Sequence, residues 1–214
     1  MALTTVNLTT VRSKLLFWNP KRVLDLMICA ILFVAVLPIF VGIAMAVALT
    51  SKGSIFFVQK RVGLGGNVFS MYKFRSMYSD AETRRAELEQ ISDREGVCIK
   101  IKRDPRITPI GRFLRRWSMD ELPQLINVVL GDMSLVGPRP ALTCEVEKYP
   151  EYAHERHAVL PGITGLWQVS GRADVGFDEM ISMDVDYVRC ASLAMDVSIL
   201  LRTLGAVLSG RGAY

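Results

Sequence analysis

Asp120 and Glu121 stand side by side in Ser118-Met119-Asp120-Glu121-Leu122-Pro123-Gln124-Leu125, with Arg112, Arg115 and Arg116 just upstream and Arg139 downstream in Gly137-Pro138-Arg139-Pro140. A carboxylate can attack phosphorus if its repulsion from the phosphate oxygens is cancelled. Two like unit charges about 4 Å apart repel by ~4 kcal/mol at an effective dielectric of ~20, so this chemistry calls for arginines and a divalent cation. Mg2+ suits the part, because it binds few carboxylates together with substrate phosphates. The plainer alternative is a structural ion pair between these acids and the arginines. Three features weigh against it: the acids at a helix start, the three arginines within two turns, and an arginine held in a proline-flanked loop. Ser118, three residues before Glu121, makes a capping box, and Pro123 is tolerated in a first helical turn. A helix beginning near Ser118 or Asp120 puts both acids at its N-terminus, which predicts an ionised Asp120 with a lowered pKa and a place for phosphate.

Larger elements must position these groups. Leu26 to Leu49 is an apolar run with no charged side chain and with Pro38 in its middle. As a helix it would reach ~35 Å, enough to cross a hydrocarbon core of ~30 Å. Arg12, Lys14, Lys21 and Arg22 precede it, and Lys52, Lys60, Arg61, Lys73 and Arg75 follow it, so the basic flanks prescribe no orientation. Two readings stay open on the residues alone. The segment is a single span, or it turns near Pro38 and Gly42 and leaves by the face it entered, with both flanks on anionic lipid. A signal peptide fits less well, since the run is long and starts late. A buried core helix would rarely be apolar on every face.

The chain has 214 residues and a net charge of +5, room for one compact domain beyond the apolar run. The positive excess suits a membrane surface and an anionic ligand; nucleic acid is excluded as the expected partner, because repeated basic and stacking aromatic units are missing. Cysteines 29, 98, 144 and 190 form no CxxC pair and read as reduced packing residues of a cytoplasmic protein. Ile55 to Val58 and Val68 to Phe74 read as strands joined at Gly63-Leu64-Gly65-Gly66, a hairpin turn and not a phosphate loop. Asp80 to Ile91 is a charged helix candidate, and 92–109 a loop. His154 and His157 read as surface residues, while Trp167, Gln168 and Arg172 suit a sugar or nucleotide pocket, with a core role for Trp167 equally compatible. Leu193, Val197, Leu200, Leu201, Leu204, Val207 and Leu208 mark an amphipathic helix suited to a bilayer interface.

Lys21-Arg22-Val23-Leu24-Asp25, Tyr72-Lys73-Phe74-Arg75-Ser76-Met77, the Asp120 to Leu125 segment, Gly131-Asp132-Met133-Ser134, the Gly137 to Pro140 loop and the Pro161 to Arg172 segment occur in that order. Together they resemble the catalytic core of the monotopic phosphoglycosyl transferases, bacterial sugar transferases that start glycan assembly on polyprenol phosphate. The resemblance implies transfer of a sugar 1-phosphate, expected to be a hexose, from a UDP-sugar to undecaprenyl phosphate. UMP would be released, in the priming step of exopolysaccharide, capsule or O-antigen synthesis. It implies Asp120 as nucleophile, through a phosphosugar-aspartyl intermediate, and Glu121 as the second acid, with Asp120 and Glu121 holding Mg2+. Arg115 matches a phosphate-binding arginine, and Arg139, Lys73, Arg75 and Arg112 are expected on phosphates or nucleotide, with a membrane-facing role also open for Lys73 and Arg75.

The implied fold is α/β and mostly helical. An arm at 1–20 leads to a re-entrant membrane helix hairpin at 21–50 and a cytoplasmic catalytic domain at 51–214, with a β-hairpin and amphipathic interfacial helices. It would sit on the cytoplasmic face of the bacterial inner membrane, with Pro38, Lys21 and Arg22 as membrane residues. This chain has Leu37-Pro38 where relatives often have Ser before the proline. A homodimer stays open, because composition does not distinguish its interface from a lipid-facing surface. Two rival readings are a catalytically silent membrane adaptor of polysaccharide assembly and a single-span glycosyltransferase.

Overall fold

The computed structural model describes residues 19–81, 83–84, 104–170 and 175–209. Arg12, Lys14, Cys98, Arg172 and most of the expected charged helix lie outside the described residues.

Helix α1 runs from Pro20 to Thr50. Asn19 caps it by accepting from the Lys21 backbone N–H at 3.1 Å, and Pro20 takes the first helical position, where its missing N–H costs nothing. The helix continues through Pro38, so no loop reverses the chain there. An interior proline costs a helix ~3 kcal/mol, and packing on both sides of it offsets that loss. Phe33 and Val36 press on the cluster around Cys29, Met71, Leu125 and Met133, and Phe40 on the cluster of Ile43, Val47, Phe74 and Leu114. Both halves of α1 therefore rest on one domain. Ile31, Val34, Leu37, Val41 and Met45 face outward, and only 11% of the most apolar window is buried. An uncovered apolar face of this extent marks a membrane or partner surface.

Lys21 and Arg22 are drawn into the protein, which corrects their expected place against lipid. The Lys21 ammonium donates to Asp196 at 2.7 Å and to the Val136 carbonyl at 3.0 Å. Buried Arg22 donates to the Val128 and Val129 carbonyls. Burial explains the difference: at the root of a helix packed on a domain, a cation finds protein acceptors before it meets lipid.

Strands β1 (Phe56–Val62) and β2 (Val68–Phe74) form the expected antiparallel hairpin, from Phe56 opposite Phe74 to Val62 opposite Val68. Gly65 and Gly66 adopt φ of 63° and 79° in its turn, where side chains are disfavoured. Helix α2 (Pro109–Arg116) precedes α3 (Gln124–Leu130), which is tied to β2 by Asn127: its side chain donates to Ser70 O at 2.7 Å and accepts from Tyr72 N at 3.0 Å. Next come β3 (Ser134–Val136), β4 (Ala141–Leu142) and α4 (Thr143–Val146). Strand β4 pairs with β1, and β5 (Gly162–Thr164) runs parallel to β3. Helices α5 (Leu166–Ser170), α6 (Phe177–Cys190) and α7 (Leu193–Ser209) complete the described chain. On α7, Leu193, Val197, Leu201, Leu204 and Leu208 are exposed while Asp196 and Ile199 are buried, so the expected amphipathic helix is present.

Candidate active site

Helix α2 begins at Pro109, with the Thr108 hydroxyl accepting from Gly111 N at 2.9 Å. It ends at Arg116, and two residues later Ser118 adopts φ 54°, the one positive φ outside glycine among the described residues. Such a conformation stores about 1 kcal/mol or more and persists where its surroundings impose it. Here it turns the chain into a single 3-10 turn, Met119–Glu121, which carries the two acids.

This geometry corrects the expected capping box. The Ser118 side chain caps nothing, and α3 starts only at Gln124, with Pro123 immediately before it. Glu121 instead accepts from Lys73 Nζ at 2.8 Å and from Arg139 Nη2 at 3.0 Å, both on Oε1. Burial acts to raise its pKa, but Arg139 and Lys73 outweigh it and hold Glu121 far below the usual carboxylate range.

Asp120 differs from its neighbour. No described side chain hydrogen-bonds its carboxylate, and the residue lines a cavity of about 1110 Å³. Burial raises its pKa and Glu121 adds to the rise, while Lys73, Arg115 and Arg139 pull it down. The expected lowering by a helix N-terminus is thus reversed, because the acid sits ahead of α3 in a desolvated wall.

Arg115 lines the same cavity, its Nε donating to Ser76 Oγ at 2.9 Å. Burial lowers its pKa, and the negative charge of Asp120 does most to oppose that. The Lys73 pKa is likewise lowered by burial against the pull of Glu121, whereas Glu121 raises that of Arg139. Lys73, Arg115 and Arg139 are therefore brought together with both acids. Arg112 is not, and Arg75 lines the same cavity but commits its guanidinium elsewhere. Arg75 donates to the Ser51 carbonyl at 2.7 Å and hydroxyl at 2.8 Å, closing the end of α1. Arg112 is exposed and does not line the cavity. Arg112 stands three residues before Arg115, on the same face of the helix but one turn farther from the acids, so spacing alone does not separate the two.

Two further residues escape sequence reasoning. Arg156, between the histidines, is buried against Asp184 and Tyr149 and donates to the Arg139 carbonyl at 2.8 Å. Its unusual burial carries no local sequence signal, because its partners are distant in the chain. His157 is buried, not on the surface as expected, and burial pushes its pKa down to about 4; His154 is exposed. Trp167 packs in the core beside Ala153 and Ile181, as one of its two expected roles has it, and also lines the cavity.

Among the described residues no group of three or more His, Cys, Asp or Glu is arranged to hold a metal. Asp120 and Glu121 nonetheless fit Mg2+, which needs only one or two carboxylates when substrate phosphates complete its shell. The cavity is also lined by apolar side chains, among them Ile28, Leu32 and Val36 from α1 and Leu200, Leu204 and Val207 from α7.

A sequence model described as "Bacterial sugar transferase" matches residues 16–210, and the chain belongs to that family. It is 49% identical over 162 residues to the galactosyl transferase CpsE of Streptococcus agalactiae, covering 75% of this chain and 36% of that protein. It is 37% identical over 198 residues to the exopolysaccharide production protein ExoY of Sinorhizobium fredii, covering 91% and 88%. It is 41% identical over 198 residues to the undecaprenyl-phosphate galactose phosphotransferase of Salmonella typhimurium, covering 91% and 41%. The chain thus spans less than half the length of the first and third relatives and most of the second.

Proposed function

We propose that this chain transfers a hexose 1-phosphate from a UDP-sugar to undecaprenyl phosphate and releases UMP. The observation that carries the reading is the division between the two acids: Glu121 is neutralised by Lys73 and Arg139, and Asp120 is left unbonded in a cavity walled by cations. A silent adaptor has no use for a desolvated, unpartnered carboxylate. The names of relatives support the choice of substrates, among them a UDP-glucose:undecaprenyl-phosphate glucose-1-phosphate transferase of Xanthomonas campestris at 40% identity over 204 residues.

In the first step an ionised Asp120 oxygen attacks the sugar-linked phosphorus. The bond from that phosphorus to the UMP oxygen breaks, and UMP leaves with the electron pair. Arg115, Lys73 and Arg139 offset the charge that gathers on the phosphate oxygens. In the second step an oxygen of the lipid phosphate attacks the same phosphorus, the bond to Asp120 breaks, and the free carboxylate returns. Mg2+ held by Asp120 and Glu121 would supply further neutralisation of the phosphates. The apolar wall between α1 and α7 supports a lipid acceptor arriving from the membrane side.

Both ends of α1 are tied to the same domain, Arg22 to α3 and Ser51 to Arg75, and this supports entry and exit on one face, the cytoplasmic one. The helix would dip into the bilayer as a continuous, proline-bent element. Accessible tags at residues 12 and 52 should map to one side; opposite sides would overturn this topology.

The activity is tested by incubating the chain with Mg2+, undecaprenyl phosphate and a panel of UDP-sugars. UMP release with a UDP-hexose is expected. No release with any sugar would overturn the reading, and a single-span glycosyltransferase would release UDP in its place.

A further inference from the structure

The loop that carries Arg139 is fastened in an unusual way. Pro138 and Pro140 have no N–H, so much of the anchoring of this stretch must go through its carbonyls. The Val136 carbonyl accepts from Lys21 Nζ at 3.0 Å and from the Tyr187 hydroxyl at 3.1 Å. The Pro138 carbonyl accepts from Gly162 N at 2.9 Å, and the Pro140 carbonyl from Arg61 Nη1 at 3.1 Å. Between them, the Arg139 carbonyl accepts from Arg156 Nη2 at 2.8 Å.

Arg156 is 3% exposed and its acid partner Asp184 is 1% exposed. Its Nη1 donates to the Tyr149 hydroxyl at 2.8 Å, and its Nη2 is shared between Asp184 and the Arg139 carbonyl. The guanidinium is thus oriented from two sides before it reaches the loop. Arg139 itself is one-third exposed at its side chain and holds Glu121 by Nη2 at 3.0 Å. Its aim depends on where its backbone is held, because a long side chain launched from a displaced backbone would leave Glu121.

We propose that Arg156, oriented by Asp184 and Tyr149, is a positioning residue for the transfer reaction: it holds the Arg139 carbonyl so that the Arg139 guanidinium stays on Glu121 and faces the donor phosphates. The part concerning phosphates rests on the function proposed above. A planar guanidinium is needed here, since an ammonium is a point charge that cannot bridge the same three acceptors in one plane.

Arg156→Ala is a poor test, because a buried Asp184 left without its cation can unfold the domain. Arg156→Lys keeps the charge, and Tyr149→Phe removes one orienting hydrogen bond. In the full chain in lipid nanodiscs, hydrogen exchange of the 136–142 backbone should speed up in Arg156→Lys at a temperature where the fold is intact. Unchanged exchange would overturn the proposal whether or not the chain transfers sugar. In UMP-release assays Arg156→Lys should lower kcat by about tenfold to a hundredfold, the scale of a small misplacement at a reacting centre. Tyr149→Phe should act in the same direction and more weakly. In an Arg139→Ala background the Arg156→Lys loss should vanish; an equal loss in both backgrounds would overturn positioning through Arg139. A wild-type chain that releases no UMP strikes the donor reading instead, and the exchange measurement still decides whether Arg156 holds the loop.

Discussion

Two buried charged clusters, one at the root of α1 and one in the cavity wall, differ in a way that separates structure from chemistry. At the root of α1, Asp196 accepts from Lys21 at 2.7 Å and from Tyr187 at 2.7 Å, and Asp25 accepts from Ser134 Oγ at 2.8 Å and Leu135 N at 3.3 Å. Both acids there are fully engaged. In the cavity, Glu121 accepts from two cations on Oε1 alone, and Asp120 beside it accepts from no described side chain. Burying an acid without a partner works against stability, and a fold retains such a group where a ligand or a reaction supplies what is missing. The saturated cluster holds α1 on the domain, and the unsaturated one is where the proposed transfer would take place.

The sharpest break of this contrast is Asp120→Asn. UMP release should fall by at least ~10³-fold, as expected when a nucleophile is lost, with melting temperature unchanged or raised. Retained release would place the nucleophile elsewhere. Asp25→Ala should do the opposite, costing about 3 kcal/mol of stability from a buried polar network, read as a lower melting temperature in detergent. A stable Asp25 variant without activity would erase the distinction between the clusters.

A subtler test uses pH. In the proposed reaction Asp120 attacks as the ionised carboxylate, so the rate should fall as pH drops through its raised pKa. Lys73 pulls that pKa down, so Lys73→Met should move the acid limb of kcat/KM to higher pH and lower the plateau rate. A limb that stays in place would mean that Lys73 does not act on Asp120. Least affected should be Arg112→Ala, with UMP release within about twofold of wild type, as for an exposed side chain remote from a site. A loss as large as that of Arg115→Ala would return Arg112 to the site.

Much of this is legible in residue order. The hairpin announces itself by two β-prone runs around glycines, α7 by its helical spacing, and the acid pair by contiguous motifs. The expected helix start at Asp120 fails because spacing alone does not decide a capping box. Ser118 and Glu121 stand at the right separation, yet Lys73 and Arg139 compete for the Glu121 carboxylate and win. The basic flank of α1 misleads for a related reason. Lys21 and Arg22 look like lipid anchors by position, but their acceptors are the Asp196 carboxylate and carbonyls at 136, 128 and 129.

The sequence by itself determined the family, the long apolar helix, the local elements and the identity of the candidate nucleophile, because each is written in adjacent or periodically spaced residues. Only the tertiary structure decided the assignment of cations: Arg139 and Lys73 to Glu121, Arg75 to the end of α1, Arg112 to solvent, and Arg156 beneath the Arg139 loop. Lysines and arginines are alike in a sequence, and long flexible side chains can serve many partners. Which acceptor each one meets follows from packing that brings together residues 48 apart in Lys73–Glu121 and 28 apart in Arg156–Asp184.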